Sequence, residues 1–259
     1  MMNWAVKCLL VLVCLGSMTL ASCEEAGDAS CEVTCPDPPD ADLCDGGVGP
    51  GEGDEEALRR VMAARRSVRQ WSRNAISRED IEALMWAAQG VTAPDMPTGV
   101  PDIVGYRTSP SAGATYPLEL YVITNNVAGM EQSVYWYHPM RALTADGEFL
   151  EEVGPAGSMA SEFGAACVGQ EWVARAQANI VITADYERTR ARYGTRGDTY
   201  VTLEAGHAAQ NIMLMAVARG LGTVPIGSFG GDVVHELLGL PEEHSVVYVV
   251  AVGDPMRDE

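Results

Sequence analysis

Twelve acidic residues and no basic one stand between Glu24 and Glu56, and this imbalance limits what the chain can fold into. From Glu24 to Asp54 large apolar residues are almost absent, and Asp37-Pro38-Pro39-Asp40 and Gly46-Gly47-Val48-Gly49-Pro50-Gly51 interrupt any regular element. Such a stretch cannot bury enough surface to offset the entropy of ordering it, and its like charges keep it extended. An acidic disordered tether is therefore expected over residues 23–54, with the folded domain confined to residues 55–259. At 47% hydrophobic residues the chain has ample material for that core. Its formal charge of −19 argues against a nucleic-acid partner, which demands a basic face.

Ahead of the tether, Lys7 precedes an apolar run from Cys8 to Val13 that continues through Leu15, Met18 and Leu20. The run is too short to span a bilayer, which needs about 20 apolar residues, and reads as an export signal over residues 1–22. Its end, Leu20-Ala21-Ser22-Cys23, resembles the bacterial lipobox, which implies a lipidated Cys23 and a membrane-anchored, exported protein on the periplasmic or outer face. The alternative is an ordinary signal peptide with Cys23 merely nearby. Cys31, Cys35 and Cys44 lie in the tether, where a local disulfide plus one spare thiol is the plain expectation. Cys167 reads as a small buried hydrophobe.

Lys7 is the only lysine, so the mature chain would bind anions through arginine alone, and Schiff-base chemistry and a P-loop lysine are excluded. Four histidines, at 138, 207, 235 and 244, form no HExxH motif and no Cys/His pair at zinc spacing; no metal site is expected.

Periodicity predicts a helix near 55–65 and a second from Ser77, where Ser77-Arg78-Glu79-Asp80 offers a cap and Ile81, Leu84, Met85 and Ala88 an apolar stripe. Strands are expected at 118–124 and 134–137, a helix over 160–178, a buried strand at 180–184, and a long helix over 199–219 ended by Gly220. A short helix at 233–238 and a strand at 246–252 follow. The order lacks strict βαβ alternation and indicates an α+β fold.

Three segments carry chemistry. Arg65-Arg66-Ser67-Val68-Arg69 gathers three guanidiniums and a hydroxyl, a set suited to phosphate, though a solvated helix end reads equally well. Ser109-Pro110-Ser111-Ala112-Gly113-Ala114-Thr115-Tyr116-Pro117 places small residues ahead of a strand, where a flat ligand could approach the backbone or a tight turn could simply form. Gly222-Thr223-Val224-Pro225-Ile226-Gly227-Ser228-Phe229 could present backbone donors, or merely connect two helices.

In this order the three segments, with Leu84-Met85-Trp86-Ala87-Ala88-Gln89-Gly90, Arg192-Tyr193-Gly194-Thr195-Arg196 and Leu203 to Asn211, resemble the nitroreductase superfamily of FMN-dependent oxidoreductases, and more narrowly its SagB-type dehydrogenases. The resemblance covers about Arg59 to Gly253. It implies a central, mainly antiparallel sheet wrapped by helices and a homodimer with FMN at its interface. It also implies that Arg65, Arg66, Ser67 and Arg69 hold the FMN phosphate and ribityl chain, with Arg257 a second phosphate contact. Ser111 and Gly113 of the partner would lie against the flavin, and in the Pro225-Ile226-Gly227 segment, also counted as cofactor-binding, the backbone of Ile226 and Gly227 would donate to flavin N5, the hydride-accepting position.

One motif departs from the pattern. Azoline-oxidising relatives carry Lys-Tyr, a proposed proton-handling pair, where this chain has Arg192-Tyr193. Arginine stays charged and cannot act as a base, so Tyr193 is left as the proton donor or acceptor and Arg192 as its electrostatic neighbour; Arg192 could also simply pair with a surface acid. His207 is expected to be a satisfied core or cap residue, and Trp71, Trp86, Trp136 and Trp172 to be core or dimer contacts. The resulting expectation is a membrane-tethered FMN oxidoreductase acting on an azoline-like or other small or peptide substrate. The alternatives are a generic NAD(P)H-dependent nitro or quinone reductase, or a non-catalytic flavin-binding lipoprotein.

Overall fold

A computed structural model describes residues 51, 53–98, 104–143, 147–154 and 157–257. The expected signal, Cys23 and the tether cysteines lie outside the described residues.

The first helix, α1 (Asp54–Ala64), opens with three acids that suit the positive end of its dipole and buries none of its side chains. A short strand, β1 (Ile76–Ser77), leads into α2 (Arg78–Gln89), whose start is the expected capping box. The Asp80 N–H donates to Ser77 Oγ and the Ser77 N–H returns to Asp80 Oδ2, at 3.1 and 2.9 Å. Strands β2 (Val91–Pro97) and β3 (Val104–Arg107) pair as an antiparallel ribbon. Then come β4 (Leu118–Thr124), β5 (Val127–Ala128), β6 (Val134–Tyr137) and β7 (Leu150–Glu152). Helices α3 (Ala160–Ala166) and α4 (Glu171–Ala174) precede β8 (Ala178–Ala184). The chain closes with α5 (Tyr186–Tyr193), α6 (Gly197–Ala218), β9 (Gly222–Ile226), α7 (Gly231–Leu238) and β10 (Ser245–Gly253).

Six strands form the central sheet in the order β7-β6-β4-β8-β10-β9, each pair antiparallel. The expected α+β architecture is therefore the one observed. Alternation along the strands splits the core in two. Leu120, Val122, Ile180, Ile182, Val250 and Val252 face α2 and α6, while Tyr121, Ile123, Val181, Val249 and Ala251 face α3, α4 and α7. Helix α6 turns Ala205, Ala208 and Ala209 inward, all at most 1% exposed, and these small side chains let α2 lie close against it.

Two expectations are corrected. The helix over 160–178 is broken in two, because Val168 and Gly169 take left-handed backbone (φ 59° and 68°), and the strand behind it starts at Ala178. Residues 222–226 are not a connector between helices but the edge strand β9.

Register fixes where the functional loops emerge. Leu118, at the start of β4, lies opposite Ala184, which lies opposite Ser245 at the start of β10; Ile226, the end of β9, lies opposite Val249. The segment entering β4 and the one leaving β9 thus share one end of the sheet, three strand spacings or about 14 Å apart.

Candidate active site

The arginine run owes its course to the end of α1. At Arg65 the backbone turns to φ −58°, ψ 125° and leaves the helix extended. The Val68 N–H then donates to the Thr223 carbonyl at 2.9 Å, and Ser67 bridges Thr223 in the parallel sense. Only glycine permits this approach: a Cβ at Gly222 would stand 2.9 Å from Val68 Cβ. Further along, the Met256 N–H donates to Gln70 O and the Ser72 N–H to Asp254 O, at 3.0 and 2.8 Å, so the run is sewn to the segment carrying Arg257. That guanidinium reaches the end of α6, 3.7 Å from where a Gly220 Cβ would stand.

Charge on this run is uncompensated. Arg59, Arg78, Arg141, Arg175, Arg188, Arg190 and Arg219 each pair with a carboxylate. Arg65, Arg66, Arg69 and Arg257 are in none of these ion pairs, nor are Arg60, Arg73, Arg107, Arg192 and Arg196, and Arg257 lies close enough to Asp254 to lower its carboxyl. Arg66 donates only to the carbonyls of Ala63 and Arg65, and Arg69 lies over the Trp172 indole, 5.5 Å from its centroid. Guanidiniums outside any ion pair on one run of backbone, with Arg257 on the segment sewn to it, can accept an anion. At the other end of β9, Gly227 has room above it, an added Cβ meeting only the Tyr248 ring at 3.9 Å. The arginine run and the Pro225-Ile226-Gly227 turn are therefore brought together along one edge strand.

A second group assembles around residues 109–117. This loop is strained: Gly113, Ala114 and Tyr116 take φ values of 61°, 51° and 43°, and the two non-glycine residues there cost on the order of 1 kcal/mol each or more. Several bonds hold it in place. Ser111 Oγ accepts from the Tyr116 N–H at 2.9 Å, and Ser109 Oγ donates to Ala88 O at 2.8 Å. Helix α5 fastens its other side through the buried Thr115–Thr189 hydroxyl pair at 2.8 Å, Arg188 to Tyr116 O at 3.2 Å and Arg192 to Gly113 O at 3.3 Å. Tyr193 stands directly over Gly113, where a Cβ would come within 2.5 Å of Tyr193 Oη. Arg192 Cζ lies 5.6 Å from the Tyr193 ring centroid, and Arg192 makes no ion pair among the described residues. Ser111, Gly113, Arg192 and Tyr193 thus form one constellation within a single chain.

Sequence reasoning passed over its most unusual member. Glu204, on α6, is 3% exposed; Oε1 has no hydrogen-bond partner. Burial pushes its carboxyl up to about 7, against the pull of the Ser111 and Gln89 side chains that face it. The Gln89 amide nitrogen, equally buried, also lacks a partner at hydrogen-bond length. Burial likewise raises the Tyr116 phenol. A signal did exist: Val201, Glu204, Ala205, Ala208 and Ile212 share one helical stripe, so Glu204 is an acid on a core face. His207, expected in the core or at a cap, is instead exposed on α6. Cys167 is fully buried as expected, its thiol pushed up to about 11 by desolvation. Trp71 is buried, Trp136 and Trp172 line the core, and Trp86 is 46% exposed. No cluster of three metal-ligating side chains occurs among the described residues.

Comparison with known proteins bears on this geometry. The family model described as "Nitroreductase family" matches residues 62–254. A protein of Methanocaldococcus jannaschii carrying the nitroreductase name is 40% identical over 190 residues, covering 73% of this chain and 87% of its own. One of Archaeoglobus fulgidus, named for NADH dehydrogenase or NAD(P)H nitroreductase, is 29% identical and is covered over 88% of its length. A crystal structure from Anabaena variabilis, also carrying the nitroreductase name, superposes with a TM-score of 0.64 at 27% identity, covering 80% of this chain and 39% of that one.

Proposed function

The chain belongs to the nitroreductase family, and on that premise we propose that it is an oxidoreductase using flavin mononucleotide (FMN). The observation that carries this reading is the unpaired arginine run lying against β9, beside the open backbone at Gly227. The residues present fit the group: guanidiniums without carboxylates suit a phosphate dianion, and a glycine with free space above it suits a flat ring.

When bound, FMN supplies a two-electron centre that accepts and returns hydride. Arg65, Arg66, Ser67 and Arg69 would hold its phosphate and ribityl chain, with Arg257 as a second phosphate contact. Pro225 lacks an N–H and stiffens the turn, so Ile226 and Gly227 would supply the backbone donors to the ring. Ser111 and Gly113 close the site from a second copy of the chain; the exposed Leu58, Met62, Trp86 and Leu203 on α1, α2 and α6 support a homodimer. Tyr193 gives or takes a proton at Oη, while Arg192 orients it and attracts negative charge on the substrate.

The SagB-like motifs favour a dehydrogenase of an azoline-like or other small substrate, and so does export, since NAD(P)H is scarce outside the cytoplasm. The name of the Archaeoglobus relative favours a second reading, an NAD(P)H-dependent nitro or quinone reductase. The two separate on anaerobic addition of NADPH to FMN-loaded protein: slow or absent bleaching is expected, and prompt bleaching selects the second. Purified protein that stays colourless with added FMN overturns both.

We also propose the order signal peptide (1–22), acidic tether (23–54) and catalytic domain (55–259), with lipid on Cys23 as the membrane anchor. Among the described residues no helix is long and apolar enough to cross a membrane. Mass spectrometry of the N-terminal peptide from membrane fractions tests this, an unacylated Cys23 overturning it.

A further inference from the structure

Arginine in place of lysine before Tyr193 leaves the site short of a group that can both hold and release a proton near neutrality. A carboxyl stands nearby that the roles above do not use. Glu204 is 3% exposed, has one oxygen without any partner, and faces the Ser111 hydroxyl. Ser111 is half-buried, in the loop whose next turn supports Arg192 and Tyr193. Its oxygen accepts one hydrogen bond, from the Tyr116 N–H at 2.9 Å. A hydroxyl has two lone pairs and one proton, so Ser111 can accept from the Glu204 acid while donating to a bound molecule, or donate to the Glu204 carboxylate while accepting from that molecule.

We propose that Glu204 is the proton store of the site, exchanging its proton with bound substrate through the Ser111 hydroxyl. Glu204 touches no substrate; it is a positioning residue that keeps the proton within one hydroxyl of the reacting atoms. The proposal rests on the oxidoreductase reading above. In the reducing direction a bound FMN would supply a hydride to an acceptor such as a quinone, leaving an anionic oxygen on the acceptor. The Ser111 O–H gives its proton to that oxygen and regains one from the Glu204 carboxylic acid, which becomes carboxylate. Two O–H bonds break and two form. In the oxidising direction the same proton path runs backwards, into the carboxylate.

The groups facing Glu204 leave this assignment little competition. From the loop come Ser111 and the Tyr116 phenol; from α2 comes the uncharged Gln89 amide; no base is among the charges that act on it. A buried carboxyl without a cation keeps its proton well above the ordinary carboxylate range, and can lose it without breaking an ion pair.

The experiment has two readouts on FMN-loaded protein. Infrared titration follows the carboxylic-acid carbonyl band: wild type is expected to show a band that titrates near pH 7, absent in Glu204→Gln and kept in Glu204→Asp. Stopped-flow reoxidation of dithionite-reduced protein by 1,4-benzoquinone is then followed against pH. An inflection near 7 is expected in wild type. In Glu204→Gln the inflection disappears and the rate falls by about 10²-fold, with FMN affinity and a single cooperative melt retained. Wild type without a titrating carboxyl, or a Glu204→Gln profile matching wild type, overturns the proposal alone. Wild type that binds no FMN, or whose reduced flavin quinone does not reoxidise, overturns the oxidoreductase reading, and the proposal falls with it.

Discussion

Gly113 and Tyr193 occupy space that a single methyl group would contest. A Cβ on Gly113 would stand 2.5 Å from Tyr193 Oη and 3.0 Å from Arg192 Cδ, at a φ of 61° that alanine avoids. Gly113→Ala is expected to destabilise the protein by about 2 kcal/mol and to displace the Arg192–Tyr193 pair. Removing the hydroxyl in Tyr193→Phe should restore part of that loss, so a double-mutant cycle by chemical denaturation is expected to give a coupling of about 1 kcal/mol. Strict additivity would place the two side chains apart. Glu204 makes a second residue-scale prediction. Its carboxyl moves from an ordinary 4.5 to about 7 in the fold. Between those values the native state binds more protons than the unfolded chain, so this group makes stability fall as pH rises through the window and leaves it level outside. The loss amounts to about 3 kcal/mol, from a shift of roughly 2.5 units at 1.36 kcal/mol each. Glu204→Gln lacks that slope; its stability relative to wild type, measured by denaturant melts, should rise by about this amount from pH 4 to pH 8. A constant difference across that range would mean that Glu204 is not buried as an acid.

At the scale of elements, legibility followed the source of each element's stability. Helix α2 was readable because its stripe (Ile81, Leu84, Met85, Ala88) and its capping box are local signals, and both are made as written. Helix α5 gave no such sign. Of Tyr186–Tyr193 only Thr189 is buried, and the helix is held by the Asp185 cap, by arginines in its last turn and by bonds to the 109–117 loop. Those are tertiary facts that apolar periodicity cannot report. Strand β9 hid for another reason: five residues containing a glycine and a proline read as a turn, and only pairing with β10 and Ser67 makes them a strand. The broken helix between α3 and α4 makes its own prediction. Val168 is β-branched, 67% exposed and left-handed (φ 59°). Glycine adopts that conformation freely, so Val168→Gly should stabilise the protein by about 1 kcal/mol, seen as a higher urea midpoint with an unchanged slope. A lower midpoint would show that the turn is not left-handed in solution.

For the whole molecule, the two candidate groups lie in places that one copy keeps apart, and the proposed site needs both. The arginine run and Gly227 lie along β9 at one sheet edge. Ser111, Gly113 and Tyr193 lie at the start of β4, three strands away, about 14 Å at ordinary strand spacing. Motifs in the sequence announced both groups, and the resemblance they carry implies that the second comes from a partner; composition and periodicity cannot report that, because it depends on how two surfaces meet. Helices α1 and α2 both pack on α6, and this helical side carries Leu58 at 51%, Met62 at 53%, Trp86 at 46% and Leu203 at 55% exposure. Large apolar side chains exposed on adjoining elements mark a surface that another protein covers. If the cover is a second copy that brings its Ser111 and Gly113 to the flavin, association and cofactor binding stand or fall together. Sedimentation velocity should therefore show a dimer for the wild-type domain. Trp86→Glu combined with Leu203→Glu should give a monomer that still melts cooperatively and binds FMN at least tenfold more weakly, although no arginine has been touched. A monomeric double variant with undiminished FMN affinity would show that each chain holds its flavin alone.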